Sequence, residues 1–395
     1  MKRVLVLGLA RSGRAAKAVL EANGVEVVAA DRTLGNDTDL ELLDGVDVLV
    51  KSPGIPGEAP LVVDARERGI PVWSEIELAS RFLENPIIGI TGTNGKTTTT
   101  ALLGAMIPAP TAGNIGTALS ELLDTSVPNR PIVCELSSFQ LEDIDTFRPQ
   151  IAVLLNLEPD HLDRHGSFEA YRAAKLRIFE NQTADDIAIV PRGFGAIPGA
   201  GRRVEFSADD ELPAEPLIPG AHNRENAAAA TAAARAFGRA DDEIAGVLLT
   251  FPGVPHRLEL VAEIDGVRWV NDSKATNTAA ARRALTAFAA PLHLILGGSL
   301  KGERFDEFAQ DVARADVVIA YLIGEAAEPL AEDLAYASVP FLLSVTLDRA
   351  VAEAASAAQP GEVVLLSPAC ASYDQFRDYE HRGEEFRRLV ENLKG

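Results

Sequence analysis

The sequence predicts a protein of three successive α/β domains, each built on a mostly parallel sheet covered by helices. The chain has 395 residues, more than the ~100–200 residues of an ordinary domain. Hydrophobic residues make up 47% of it, which is enough to form several cores. Short apolar runs also alternate with helical patterns along the whole chain, and that alternation is typical of parallel sheets.

The predicted domains are residues 1–84, 85–252 and 253–395. Asn85-Pro86 interrupts the first series of strands and helices, and a new strand begins directly after it. The segment FPGVPHR (251–257) contains two prolines and one glycine, and it forms the second linker.

The strands and helices follow in order within these limits. The first domain has predicted strands at 4–8, 25–31 and 46–54 and helices at 12–23 and 58–69. The second has predicted strands at 87–91, 131–138, 151–161 and 186–191 and an alanine-rich helix at 223–237. The third has predicted strands at 267–272, 292–298, 316–324 and 362–369.

Composition excludes several classes of protein. The net charge of −21 argues against a nucleic-acid-binding protein, because such proteins need a basic face. The two cysteines, Cys134 and Cys370, are too few and too far apart for a disulfide framework or a zinc site. No apolar run approaches the ~20 residues that span a membrane. We therefore expect a cytoplasmic protein that contacts neither nucleic acid nor membrane.

The strongest motif is a phosphate-binding loop between a strand and a helix. IIGI leads into Gly92-Thr93-Asn94-Gly95-Lys96-Thr97-Thr98, a shortened GxxGKT variant with Ile90 in place of the first Walker glycine. Successive backbone N–H groups in such a loop cradle phosphate, lysine reaches the terminal phosphates and the threonine hydroxyl ligates Mg²⁺. The sequence therefore predicts a site for a nucleoside triphosphate.

A weaker glycine motif opens the first domain. Gly8-Leu9-Ala10-Arg11-Ser12-Gly13 follows a strand, and Asp31 ends the next strand, as in a Rossmann-like dinucleotide site whose middle glycine is alanine. Three interpretations stay open: a nucleotide other than a dinucleotide, a nicotinamide cofactor, or a purely structural turn. The third domain repeats the same strand–helix pattern and is also predicted to be Rossmann-like.

Polar side chains follow several strands of the second and third domains. Glu135 ends one strand, and Asp160 and His161 follow the next, where an open sheet binds substrate. Lys175 lies on a predicted helix, where its head group either reaches solvent, pairs with phosphate or is chemically modified. The segments 269–277 and 366–383 also place polar groups at strand ends, as ligands or as ordinary helix caps.

Seven segments together resemble the Mur ligases, in order and over the whole chain: GTNGKTTTT (92–100), ELSSFQLE (135–142), NLEPDHLDRHGSFEAYRAAKLRIF (156–179), HNRENAAAA (222–230), PHRLE (255–259), NDSKATN (271–277) and LSPACASYDQF (366–376). The resemblance implies an ATP-dependent ligase that adds D-glutamate to UDP-N-acetylmuramoyl-L-alanine through an acyl phosphate, in peptidoglycan precursor synthesis. Another Mur-type or folylpolyglutamate-type ligase is the near alternative. A P-loop kinase or ATPase and a dehydrogenase are the distant ones.

The same resemblance implies roles for individual residues. Lys96 would neutralise phosphate, Thr97 and Glu135 would hold one Mg²⁺, and His161 with a carbamoylated Lys175 would hold a second. ATP would also be contacted by Asn226, Arg257 and Asp272. No flavin or NAD is expected, and we expect a monomer whose third domain closes on ATP.

Two further sets complete the implied site. The UDP-linked substrate would be bound by Arg11, Ser12, Asp31, Arg32, Ser52, Pro53, Gly54, Asn114, Ser137, Ser138 and Gln140. D-Glutamate would be bound by Lys274, Thr276, Lys301, Ser372 and Tyr373. One departure lies beside the second set, because Leu300 stands where the family often carries aspartate.

Overall fold

The computed structural model describes residues 1–114, 116–123, 125–218, 220–300 and 304–394, and it confirms the predicted α/β fold. The chain divides into two compact units. One consists of Met1–Leu217 with Ala221–Phe251, and the other of Ile218–Gly220 with Pro252–Gly395. The first unit contains two sheets and the second contains one. No helix among the described residues is both long and apolar enough to cross a membrane.

The first sheet is parallel and has the strand order β2-β1-β3-β4. Its strands are β1 (Arg3–Leu7), β2 (Glu26–Ala30), β3 (Val48–Lys51) and β4 (Val72–Ser74), and its helices are α1 (Arg11–Ala22), α2 (Pro60–Glu67) and α3 (Glu75–Ser80). The central strands β1 and β3 are almost completely buried, because helices cover both faces of the sheet. The glycine motif therefore lies at the carboxyl end of a central strand.

The second sheet is also parallel, with the order β10-β9-β8-β5-β7-β6. Its strands are β5 (Ile87–Thr91), β6 (Thr111–Gly113), β7 (Ile132–Glu135), β8 (Ile151–Leu154), β9 (Ile187–Pro191) and β10 (Arg202–Phe206). Its helices are α4 (Lys96–Met106), α5 (Ser138–Leu141), α6 (Leu162–His165), α7 (Phe168–Leu176), α8 (Ala221–Ala236) and α9 (Asp241–Thr250). Because β5 lies between β7 and β8, the segments that follow these three strands meet at one edge.

The third sheet, in the second unit, has the order β11-β12-β16-β13-β14-β15. Its strands are β11 (Glu259–Ile264), β12 (Val267–Asn271), β13 (Leu292–Gly297), β14 (Val317–Ile323), β15 (Phe341–Val345) and β16 (Val363–Leu366). Its helices are α10 (Thr278–Leu285), α11 (Asp306–Arg314), α12 (Ala327–Tyr336), α13 (Leu347–Ala357) and α14 (Tyr379–Asn392). Only β11 is antiparallel among the pairs described, since it forms a hairpin with β12.

Every strand that the sequence predicts is present, but the sequence pattern missed β4, β6, β10, β11 and β15. Each of these strands lies at the edge of its sheet. These edge strands are short or partly exposed, so they give a weaker signal than the apolar run of a buried parallel strand.

Within the first unit, Glu77 joins α3 to the segment before β8. Its side chain is completely buried, and Oε2 accepts hydrogen bonds from the backbone N–H groups of Asp145 at 2.9 Å, Thr146 at 3.0 Å and Phe147 at 2.8 Å. Arg81 Nε donates to Oε1 at 2.6 Å. Burial acts to raise the pKa of Glu77, but these hydrogen bonds outweigh it and hold the pKa below its ordinary value.

We expect Glu77→Ala to lower the free energy of unfolding by about 3–5 kcal/mol, because it leaves buried donors and Arg81 without their acceptor. Urea denaturation measures this change. The stabilisation from the lowered pKa is present above about pH 4.5, the ordinary value, and is lost as pH falls through the folded-state pKa. Glu67→Ala, at an exposed position of α2, is the control. A loss below about 1 kcal/mol for Glu77→Ala would contradict this role for the carboxylate.

Candidate active site

The phosphate-binding loop joins β5 to α4 and requires glycine at position 95. Gly95 precedes the first residue of α4 and has a φ of +80°, a left-handed conformation that other residues rarely adopt. A Cβ atom at this position would lie 2.0 Å from Oδ1 of Asn226. Asn226, one of the predicted ATP residues, is therefore buried directly against the loop. Thr97 and Thr98 lie in the first turn of α4 and are also buried.

Residues after β8 hold the loop in place. Asn156 accepts a hydrogen bond from Asn94 N at 2.8 Å through its side chain, and one from Thr93 N at 3.0 Å through its backbone carbonyl. The Thr93 hydroxyl lies 2.9 Å from the Tyr171 hydroxyl on α7. The loop is thus connected to both β8 and α7 through short polar contacts.

Two lysines donate hydrogen bonds to the same backbone carbonyl of this loop. Lys96 Nζ and Lys175 Nζ donate to the carbonyl of Gly92 at 2.9 Å and 2.8 Å. Lys175 is 2% exposed, and Nζ lies 4.8 Å from the centre of the Tyr171 ring. Burial, followed by the charge of Lys96, lowers the pKa of Lys175 to about 7. Its head group is therefore held inside the protein, close to the change between its charged and neutral forms.

Glu135, at the end of β7, brings a buried carboxylate to the same region. It is 1% exposed, and Oε1 accepts a hydrogen bond from Asn114 Nδ2 at 2.9 Å. Oε2 is buried and has no hydrogen-bond partner among the described residues. An unpartnered buried carboxylate oxygen is costly unless a cation binds it, so this oxygen fits a hard cation such as Mg²⁺.

His161 is more exposed than the other predicted catalytic residues. It precedes α6 with a φ of +51°, its side chain is half exposed, and its Nε2 lies 3.6 Å from Oδ2 of Asp160. Its ring also contacts that of Phe139, with 4.9 Å between centres. Among the residues that the structure describes, no three His, Cys, Asp or Glu side chains form a ready-made metal cluster.

The predicted UDP-binding residues surround the glycine turn of the first sheet, where two of them stabilise the turn itself. Asp31 Oδ2 accepts from Leu9 N at 2.6 Å, and this bond, followed by those from Thr33, lowers the pKa of Asp31 to about 2. Ser52 Oγ donates to the Gly8 carbonyl at 2.7 Å. The remaining residues begin α1 or lie in nearby exposed or half-exposed turns: Arg11, Ser12, Arg32, Pro53 and Gly54.

Two residues of the predicted muramoyl set build the start of α5. Ser137 Oγ accepts from Gln140 N at 3.2 Å, and Gln140 Oε1 accepts from Ser137 N at 3.0 Å, so the pair forms a capping box. Ser138 follows Ser137 and is 2% exposed. The exposed Asn114 lies beside Glu135 through the contact described above.

In the second unit, Asp272 follows β12 and is 5% exposed. Ser367 Oγ donates to its Oδ2 at 2.8 Å and Leu258 N to its Oδ1 at 3.2 Å. Burial raises the pKa of Asp272 to about 7, although Ser367, the charge of Arg257 and Leu258 all oppose the shift. The carboxylate therefore lies near its own titration point at neutral pH.

The predicted D-glutamate residues occupy two loops of this unit. Lys274 and Thr276 follow β12, with Lys274 Nζ 5.9 Å from the centre of the Tyr379 ring. Ser372, which is buried, and Tyr373, which is 70% exposed, follow β16. Lys301 lies outside the described residues.

Sequence patterns missed Arg382, which connects these loops. This arginine of α14 is completely buried, and its guanidinium donates to the carbonyls of Ser273, Cys370 and Ala371 at 2.9–3.1 Å and to the Ser273 hydroxyl at 3.0 Å. Burial lowers its pKa to about 10. From the sequence, an arginine within an amphipathic helix is expected at the surface. Only the fold shows that Arg382 holds the loops after β12 and β16 together.

Comparison with known families and proteins identifies the chain. Residues 90–194 match the Mur ligase middle domain, and residues 256–370 match the Mur ligase, glutamate ligase domain. A UDP-N-acetylmuramoylalanine–D-glutamate ligase of Acidobacterium capsulatum is 42% identical, with 98% of this chain and 96% of the relative covered. The chain belongs to the Mur ligase family. A Geobacillus kaustophilus protein of the same name is also 42% identical to this Mur ligase, over 100% of this chain and 98% of the relative.

Solved structures agree on the fold. MurC of Thermotoga maritima, a UDP-N-acetylmuramate-alanine ligase, matches this Mur ligase with a TM-score of 0.60 and 20% identity, covering 100% of this chain and 99% of that one. MurF ligase of the same organism, in complex with ADP, has a TM-score of 0.60 and 19% identity, covering 91% and 92% of the two chains. At these identities the likeness shows a shared fold alone.

Proposed function

We propose that this Mur ligase adds D-glutamate to UDP-N-acetylmuramoyl-L-alanine, with ATP as the energy source, in peptidoglycan precursor synthesis. The observation that carries this proposal is the identity of 42% over essentially the full length to ligases of that name. The phosphate-binding loop, with Lys96, Lys175 and Glu135 around it, supplies the groups that an ATP-dependent ligase needs.

The reaction has two steps. A carboxylate oxygen of the muramoyl substrate attacks the γ-phosphorus of ATP, the bond to the β–γ bridging oxygen breaks, and ADP leaves. The D-glutamate nitrogen then attacks the acyl carbon, the bond to the phosphate oxygen breaks, and an amide, phosphate and one proton are released. Both steps bring anions together, so the site must hold the reactants in line and supply positive charge.

The residues of the first unit suit these requirements. Backbone N–H groups at the N-terminus of α4 bind phosphate, and Lys96 neutralises charge that develops during transfer. Asn226 packs against Gly95 and so supports the loop that binds ATP. In the second unit, we assign Arg257 and Asp272 to the same nucleotide.

Magnesium completes the proposed site. Thr97 and Glu135 would hold one ion, and His161 with a carbamoylated Lys175 would hold a second. The buried Oε2 of Glu135 fits this assignment, because no other group among the described residues forms a hydrogen bond with it. When bound, Mg²⁺ neutralises phosphate charge and orients the transferred group. Carbamoylation joins the neutral amine of Lys175 to the carbon of CO₂ and releases one proton, which converts a cation into an anionic ligand.

We assign the other two substrates to the remaining predicted sets of residues. We assign the UDP end to the turns around Arg11, Asp31, Arg32 and Ser52 and the muramoyl end to Asn114 and the start of α5. D-Glutamate is assigned to Lys274, Thr276, Lys301, Ser372 and Tyr373. In this assignment the UDP substrate binds to residues 1–84, ATP to residues 85–252 and D-glutamate to residues 253–395. The third of these parts closes on ATP. The enzyme is a cytoplasmic monomer in this proposal.

The deciding assay measures phosphate release from ATP and Mg²⁺ with UDP-N-acetylmuramoyl-L-alanine while the acceptor amino acid is varied. We expect release to depend on both the UDP substrate and D-glutamate, with L-glutamate, diaminopimelate and lysine inactive. Phosphate release without any acceptor would indicate an ATPase, and formation of ADP without phosphate release would indicate a kinase. Activity with a different amino acid or with a folate acceptor would identify another ligase of the family and overturn the proposal.

A further inference from the structure

Ser138, His165 and Glu142 form a hydrogen-bonded chain, and the proposed mechanism gives no role to His165 or Glu142. Nε2 of His165 lies 3.0 Å from the Ser138 hydroxyl, and Nδ1 lies 3.1 Å from Oε1 of Glu142. The three residues come from the start of α5, the end of α6 and the residue after α5. Ser138, at the start of α5, follows Glu135 by three residues, so this end of the hydrogen-bonded chain lies close to the proposed metal site.

Aromatic rings hold the imidazole in one orientation. The His165 ring stacks on Phe139, with 5.3 Å between centres and 12° between planes, and meets Tyr171 edge-on at 5.3 Å. Its side chain is 3% exposed. Because Tyr171 also contacts Thr93 of the phosphate-binding loop at 2.9 Å, the position of the imidazole is tied to that loop.

The charges around Glu142 set the direction of the hydrogen bonds. The pKa of Glu142 lies above its ordinary value, because burial and the neighbouring Asp143 outweigh the cations Lys51, Arg164 and Arg66, which favour the ionised form. In its ionised form Glu142 can only accept, so Nδ1 of His165 then carries the proton of that bond. In a neutral imidazole Nε2 is then an acceptor, and the Ser138 hydroxyl must donate to it.

We propose that Glu142 and His165 are positioning residues that orient the Ser138 hydroxyl as a hydrogen-bond acceptor for the muramoyl substrate. With its proton directed at His165, Ser138 Oγ offers only lone pairs to a ligand. It therefore selects an N–H or O–H group of the substrate and disfavours a carboxylate at that point. The inference rests on the proposed function, because it takes the residues at the start of α5 to contact the UDP-linked substrate.

Steady-state kinetics test the proposal through its selectivity among substrates. We expect Ser138→Ala and His165→Leu each to raise the KM for UDP-N-acetylmuramoyl-L-alanine about 5- to 10-fold, the effect of losing one oriented hydrogen bond. The KM values for ATP and D-glutamate should change less than about 2-fold. The double variant should be no worse than Ser138→Ala, because His165 acts through Ser138. Glu142→Gln keeps a carbonyl acceptor and should retain wild-type KM, whereas Glu142→Ala should not.

A spectroscopic measurement tests the hydrogen-bond direction without relying on activity. In protein labelled with ¹⁵N-histidine, His165→Leu identifies the His165 signals by their disappearance. We expect Nδ1 to carry the proton and Nε2 to be unprotonated in the wild-type protein at neutral pH. A proton on Nε2 would overturn the proposal, because Nε2 would then donate to Ser138.

The two proposals fail in different ways. If the wild-type enzyme releases no phosphate in a D-glutamate-dependent manner, the proposed function is wrong. If the wild-type enzyme is active but the variants raise all three KM values together, or the Ser138 and His165 effects are additive, the positioning role is wrong. Ser138→Ala removes a single oxygen atom, so it keeps the test valid even if His165→Leu does not fold.

Discussion

Replacing Lys175 with alanine is expected to abolish ligation, with a loss of at least about 100-fold in kcat, because the proposed site loses the anionic metal ligand that a carbamoylated Lys175 would supply. The position suits carbamoylation: Nζ is buried, and burial with Lys96 lowers the pKa of Lys175 to about 7. Only the neutral amine reacts with CO₂, and its fraction grows as pH rises through that value. Activity in a CO₂-depleted solution should therefore fall, and bicarbonate should restore it.

Chemical rescue distinguishes a carbamoylated Lys175 that binds metal from a lysine that only stabilises the fold. Small anions such as acetate or chloride should restore part of the activity of Lys175→Ala, since they can occupy the space of the missing carbamate. Incubation of the wild-type protein with ¹³C-bicarbonate should give a carbamate signal in ¹³C NMR that is absent from the variant. Lys17→Ala, at a partly exposed position on α1, is the control and should behave as wild type. Full activity of Lys175→Ala would disprove the modification.

Glu135→Gln is expected to lower kcat by about 100- to 1,000-fold and to raise the Mg²⁺ concentration needed for half-maximal rate. The amide keeps an acceptor for Asn114 but replaces the unpartnered Oε2 with an NH₂ group that cannot ligate a cation. Since the substitution also removes a buried charge, thermal stability without Mg²⁺ should not fall. Activity titrated with Mg²⁺ and thermal unfolding with and without the metal measure both effects.

Glu75 provides a matched control for Glu135. It is also 1% exposed, its Oε2 is likewise buried without a hydrogen-bond partner among the described residues, and Oε1 accepts from Ser120 N at 2.6 Å. Burial raises its pKa, and no role in catalysis is assigned to it. Glu75→Gln should therefore leave the Mg²⁺ dependence unchanged. An equal loss in both variants would mean that any buried carboxylate in this region affects activity through the fold.

Much of the architecture could be predicted because buried parallel strands carry continuous apolar runs. Most of the central strands belong to this class, as in VLVL of β1 and IVC of β7. The loop GTNGKT was recognisable for a related reason, since its glycines and lysine are required by local backbone geometry and by phosphate. Edge strands such as β10, which is exposed at three of its five positions, give no such signal.

The candidate site was predictable in its residues but not in how they are connected. Positions in the sequence place Glu135 at the end of one strand and His161 after the next, but they cannot show that Lys96 and Lys175 share the Gly92 carbonyl. Nor can they show that Arg382 is buried between two loops, since charge and helical spacing describe a surface residue equally well. Contacts of this kind join residues far apart along the chain, and they arise only when the sheets pack.

By itself, the sequence determined the class of fold, the phosphate-binding loop and the family, because each depends on a local pattern of residues. Only the tertiary structure decided the state of individual groups. The lowered pKa of Lys175, the Glu135 oxygen that has no partner among the described residues and the contact between Ser138 and His165 depend on burial and on distant partners. Desolvation and hydrogen-bond geometry are properties of the packed chain, so no local pattern encodes them.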